Sequence, residues 1–238
     1  MAAVPGVQRR PRTTARGAPS VRTLDRGLRV LELLAREPGG LTASELARRV
    51  GTHRTNLYRL LVTLRQHRLV CRDPNGRYLP GTGLLGLAHG LAPDLRSAAA
   101  PVLAGLAAAT GSSAFLAIAD GDDAVIVSVA SPRESPCYVA YRVGLRHPLT
   151  RSASGIAILA GRPALPDERP EVAAAREAGY ALTLSEPEAG VVEVAAPVRI
   201  GERLGEASVG VVTLPGRDTA ALARHVMAAA QAIADVLC

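Results

Sequence analysis

Between Leu24 and Leu79 the chain alternates short apolar-periodic segments with turn residues and carries a dense set of arginines. After Thr42 comes ASELARRV, then Gly51, then RTNLYRLLVTLRQHRLV over residues 54–70, then CRDPNGRYL. Leu57, Leu60, Leu61 and Leu64 recur at i, i+3, i+4 and i+7, so the spacing predicts a helix with one buried face. Arg54, Thr55, Tyr58 and Arg59 fall on the other face, with side chains suited to phosphates and base edges. Two helices joined by a tight Gly-containing turn form a helix-turn-helix. Asp-Pro-Asn-Gly at residues 73–76 is a turn between two short extended runs, residues 69–72 and 77–79, which adds a wing. The expected partner is double-stranded DNA. The contact set is Arg54, Thr55, Asn56, Tyr58 and Arg59 on the second helix, His53 at its start, Thr42 and Ser44 at the start of the first, and Arg77 in the wing.

Charge is distributed to match. The 238 residues hold 28 basic and 21 acidic side chains, and every basic one is Arg. Residues 1–80 carry 16 Arg against 5 acids, whereas residues 81–238 carry 12 Arg against 16. A basic amino-terminal third is the electrostatic footprint of a nucleic-acid module. An arginine-covered surface explains the missing Lys but not this asymmetry.

Length and punctuation divide the chain into four segments. Residues 1–20 read as a disordered basic arm. Residues 21–80 form the winged helix-turn-helix, opening with a helix over 23–36 that turns Leu24, Leu28, Leu31 and Leu34 inward. Thr42 is placed to cap the next helix and Thr52 the one after. Residues 81–95 read as a linker helix with Leu84, Leu87, Leu91 and Leu95 in a stripe. Its four glycines each cost about 1 kcal/mol against Ala, so the helix needs a partner surface. Residues 96–238 read as an α+β domain on a largely antiparallel sheet. Its helices are expected over 96–110, 152–161, 167–178 and 217–237, and its strands over 115–119, 124–130, 138–143, 191–200 and 207–214.

Two later segments, taken in order, are more specific. GLRHPLTRSASGIAILAG (residues 144–161) and GYALTLSEPEAGVVEVAAPV (residues 179–198) resemble signature segments of the IclR family of bacterial transcriptional regulators, and the likeness runs over nearly everything after residue 20. The resemblance implies a carboxy-terminal effector-binding domain related to the GAF fold, dimers or tetramers, and control of a promoter in response to a small molecule. Members that bind small organic acids often carry Cys three residues before the Ala-Pro of the second segment and Asp ten residues earlier. Here those positions are Glu193 and Thr183. Polar Ser positions on the following strand fall, after a one-residue shift, at Val211 and Thr213.

The residues themselves add an effector site at the helix beginning Ser152, Ala153, Ser154, Gly155, whose free backbone N–H groups suit a carboxylate or phosphate. Glu193 interrupts an apolar strand, so it is on a solvated face, paired, or lining a cavity. Arg142 is one internal partner that could hold it.

Other chemistries fit less well. Gly81-Thr82-Gly83-Leu84-Leu85-Gly86 matches G-x-G-x-x-G but lacks a buried strand before it and an acid about 20 residues on, so it reads as a hinge, and no cofactor is expected. The histidines His53, His67, His89, His147 and His225 show no metal spacing, so each is read as exposed or locally hydrogen-bonded, and no metal site is expected. No catalytic residue is assigned: G-x-S-x-G, H-E-x-x-H and C-x-x-C are all missing, and without Lys there is no Schiff base. Cys71, Cys137 and Cys238 are scattered and odd in number, which points to a reducing, cytoplasmic compartment. No run of about 18 apolar residues marks a membrane span. The expected function is a homo-oligomeric, effector-responsive regulator on an operator with inverted-repeat character. The competing class is an enzyme or small-molecule sensor domain with an accessory DNA-binding module.

Overall fold

The computed structural model describes residues 21–132, 139–184, 190–199 and 206–237, so the predicted arm and the turn at 201–205 lie outside the described residues. The chain divides into two compact units, residues 1–91 and 92–238.

The first unit holds α1 (Arg22–Leu34), α2 (Ala43–Val50), α3 (Arg54–Gln66), β1 (Val70–Arg72), β2 (Tyr78–Pro80) and α4 (Gly83–His89). Its core is Val30, Leu34, Leu46, Val50, Leu57, Leu61 and Leu64, closed by Val70 and Tyr78 from the hairpin. Thr42 caps α2 in a reciprocal box with Glu45, as its spacing predicts. The α2–α3 corner turns at Gly51 with φ +70°. His53, not Thr52, caps α3, its ring accepting the Thr55 N–H. β1 and β2 pair antiparallel around the turn at 73–76, which closes through the Gly76 N–H to the Asp73 carbonyl.

α1 is rotated from its predicted setting. Gly27, Val30 and Leu34 face inward, while Leu24 is 61% exposed and Leu28 52% exposed. Gly27 faces α3, with Leu60 3.9 Å from the place a Cβ would take, a distance of ordinary packing. The predicted single linker helix is also broken. α4 ends at His89, Ala92 adopts φ +42°, and Pro93 starts a new helix at the position where its missing N–H costs nothing. Leu95 accordingly belongs to the core of the second unit.

That second unit holds α5 (Pro93–Thr110), β3 (Ser113–Asp120), β4 (Asp123–Ala130), β5 (Arg146–Pro148), α6 (Ala153–Gly161), α7 (Pro170–Ala178), β6 (Ala181–Leu184), β7 (Val192–Val198), β8 (Ala207–Thr213) and α8 (Thr219–Leu237). Among the described residues the sheet has six strands in the order β5-β4-β3-β8-β7-β6, every neighbouring pair antiparallel. Alternation sends Val192, Val194, Val209 and Val211 to the face covered by α5 and α8. It sends Phe115, Ala195 and Val212 to the face covered by α6 and α7. The result is the α+β architecture expected of this region.

The strands differ from the sequence reading in two places. Residues 139–143 form no strand, and the short β5 follows them instead; Tyr138 lies outside the described residues. β6 was not anticipated and forms an edge of the sheet. α8 is long and apolar enough to cross a membrane by length and composition, yet it lays Leu222, Val226 and Ile233 into the core, as a core helix does.

α6 sits so close to the preceding loop that a Cβ on Gly155 would lie 2.4 Å from Leu149 Cα and 2.5 Å from its carbonyl oxygen. Gly155→Ala is therefore expected to destabilise the protein by about 1–3 kcal/mol in urea unfolding followed by circular dichroism. Helix propensity alone gives the opposite sign, about 1 kcal/mol of stabilisation. A stabilised variant would show that the loop yields.

Candidate functional site

In the first unit the outward face of α3 carries the predicted contact residues. Arg54, Thr55, Asn56, Tyr58 and Arg59 are all exposed, as are His53 at the cap and Ser44 on α2. Arg54 is held over the Tyr58 ring, its guanidinium carbon 5.7 Å from the centroid and one nitrogen 3.4 Å from the hydroxyl. This places a cation and a phenol side by side on the open helix face. Two predicted members are committed elsewhere. Thr42 is half-buried and engaged with Glu45, whose carboxyl is held below its usual range by the Thr42 hydrogen bonds. Arg77 donates to the Gly39 and Gly40 carbonyls at 2.8 Å, tying the wing to the α1–α2 turn.

The G-x-G-x-x-G segment serves the same unit. A Cβ on Gly81 would lie 2.2 Å from the Arg68 carbonyl oxygen, and one on Gly83 would lie 2.6 Å from that of His67. Both glycines donate backbone N–H groups into this approach, Gly81 to Leu69 and Gly83 to Arg68. They are required because backbone meets backbone there.

In the second unit the sheet face beneath α6 is polar at one end. Thr183, Glu193, Val212 and Ser113 are direct neighbours across β6, β7, β8 and β3. Glu193 is 1% exposed. Its Oε1 accepts the Ser154 N–H at 3.1 Å. Ser152 caps α6, its Oγ accepting from the Gly155 N–H and the Ser154 Oγ, both at 3.0 Å. Ser208 donates to the Ser154 carbonyl at 2.9 Å. Ser152, Ala153, Ser154, Gly155, Thr183 and Glu193 are thus brought together and buried. The N–H groups of Ser154 and Gly155, expected to be free, are occupied from within the chain. Arg142 is exposed, and Glu193 accepts from the helix start.

Val211 and Thr213 do not join this cluster. Val211 packs into the core under α5 and α8, and Thr213 shares its parity. A one-residue change of register moves a strand residue to the opposite face, so the shifted alignment selected the wrong side. The residues of β8 that face α6 are Ser208, Gly210 and Val212.

Sequence reasoning also missed Ser113, Tyr141 and His147. Ser113 donates to the Val139 carbonyl at 2.6 Å. The Tyr141 hydroxyl and His147 Nε2 are 2.8 Å apart and buried, with the Tyr141 ring 5.2 Å from Phe115. Burial pushes the His147 imidazole down to about 4, opposed by the nearby Asp123 carboxylate. Its place in the 144–161 segment was the available signal.

A winged helix with an open basic recognition face, joined in one chain to an α+β domain with a buried polar end, defines a two-domain DNA-binding regulator. Residues 23–74 match the IclR helix-turn-helix domain and residues 91–169 the bacterial transcriptional regulator IclR C-terminal domain. The chain is 30% identical over 235 residues to the HTH-type transcriptional regulator XynR of Escherichia coli (strain K12), covering 86% of this chain and 91% of that one. It is 30% identical over 218 residues to the glycerol operon regulatory protein of Streptomyces griseus, covering 82% and 85%. An IclR transcriptional regulator from Alicyclobacillus acidocaldarius superposes with TM-score 0.74 at 26% identity over 92% of this chain and 98% of its own. An IclR homolog from Microbacterium hydrocarbonoxydans, complexed with 4-hydroxybenzoate, gives 0.76 at 24% over 90% and 98%. The chain belongs to the IclR family of helix-turn-helix transcriptional regulators.

Proposed function

We propose that this chain acts in the cytoplasm as a homo-oligomer that holds two α3 helices on an inverted-repeat operator and answers to a small molecule bound by the second unit. Apolar surface with no intrachain cover carries the oligomer. Leu24 and Leu28 on α1 are exposed, as are Leu85 (73%) and Leu87 (70%) on α4, all within the first unit. A seven-residue helix with two glycines and no buried residue is marginal alone and gains most from a second copy. Two-fold pairing of winged helices then calls for two half-sites of opposite sense. Arg54, Asn56, Tyr58 and Arg59 read the major groove, with His53, Thr55 and Ser44 beside them. A relative complexed with 4-hydroxybenzoate supports a small molecule as the effector, which a regulator returns unchanged.

Light scattering at micromolar concentration and a footprint on the promoters flanking its gene test this reading. A dimer or tetramer protecting two symmetric half-sites is expected. A monomer that binds a single half-site tightly overturns it, and so does conversion of the bound molecule.

A further inference from the structure

Among the described residues, Glu193 is the only fully buried carboxylate. It lies 39 residues from Ser154 in sequence, so nothing local brings the two together. Taking a carboxylate out of water is costly unless hydrogen bonds and positive potential replace the lost hydration. The start of α6 supplies both: an N–H aimed at Oε1, and the positive end of a nine-residue helix. Ser152 satisfies the next donor, Gly155 N–H, so the N2 and N3 donors of α6 are both met by the chain's own side chains.

We propose that Glu193 is a tethered anion. Its carboxylate occupies the place at the α6 start where an acid from solution would otherwise bind, docks α6 on β7, and closes that place to free carboxylates. A covalently attached group acts at an effective concentration that a dilute acid does not match. Chemistry follows from the contact alone. The regulatory consequence, that simple organic acids do not act on this protein through the α6 start, rests on the effector role proposed above.

Chemical rescue of the full chain tests the idea. Thermal unfolding is measured for wild type, Glu193→Ala and Glu193→Gln in sodium formate, sodium acetate, sodium chloride and methylammonium chloride at equal ionic strength. Wild type should melt at one temperature in all four. Glu193→Ala should melt lower and recover saturably with formate or acetate, not with chloride or methylammonium. Glu193→Gln, similar in size but uncharged, should melt below wild type without recovery. An Ala variant that melts with wild type, or that chloride restores as well as acetate does, overturns the proposal. If the Ala variant does not fold, the Gln variant decides: a melt equal to wild type overturns the need for charge, and a lower one supports it. Operator titration with and without acetate reads the consequence separately. Acetate should shift the affinity of the Ala variant and leave wild type unchanged. Thermal rescue without any effect on DNA would retain the tethered anion and reject coupling between the α6 start and DNA binding.

Discussion

Replacing Arg59 by Ala is expected to weaken operator binding by about 1–3 kcal/mol, roughly 5- to 150-fold, if its guanidinium reads a base. Preference at one operator position should then relax. If it meets a phosphate instead, affinity for all sequences should fall together and the dependence of log K on log salt should lose about one unit of slope. Arg54→Ala should act in the same direction, because Arg54 is held ready over Tyr58 on the same open face. The double variant should lose the most, since both guanidiniums lie on the exposed face of α3, whereas Arg77 is tied to the Gly39 and Gly40 carbonyls. Anisotropy titrations on operator and random duplexes at several salt concentrations separate the cases. Unchanged binding in both single variants would show that α3 is not the reading helix.

Acidification should destabilise the second unit as pH falls from about 6.5 towards 4. The buried His147 has its proton affinity lowered from 6.5 to about 4, chiefly by burial. Between those values the unfolded chain holds a proton that the native chain does not, so falling pH favours unfolding. The stability is fully present above about pH 6.5 and is lost down to about pH 4, with a total of about 3 kcal/mol. Glu168, held low by its hydrogen bond to Arg176, and Glu171 contribute losses only as pH falls below about 4.5. His147→Gln, which can keep a hydrogen bond to Tyr141, should flatten the profile between pH 6.5 and 4.5. A slope as steep as wild type would place the proton uptake elsewhere.

The helix-turn-helix was legible because its code is local. Heptad-like leucines, Thr42 three residues before Glu45, Gly51 at the corner and Asn-Gly at the wing each act within a few positions. Strands β3, β4, β7 and β8 of the second unit were legible for the same reason, as apolar runs bounded by turns. β6 escaped because four residues with exposed leucines at an edge carry little pattern. His147 escaped because imidazole is polar in composition, and only the packing of Phe115 and Tyr141 makes its surroundings dry.

By itself, then, the sequence determined most element types and the basic outer face of α3, which follow from spacing and short-range chemistry, and its two later segments carried the family resemblance. Tertiary structure alone decided direction. Leu24 and Leu28 point outward because packing turns Gly27, Val30 and Leu34 of α1 inward. Val211 and Thr213 lie on the far side of the sheet because β8 pairs with β3 and β7 in one register and not its neighbour. Gly81 and Gly83 meet backbone, since the chain folds back on residues 67–70. Glu193 reaches the α6 start across 39 residues, and only the fold could bring that carboxylate to the Ser154 N–H that donates to it.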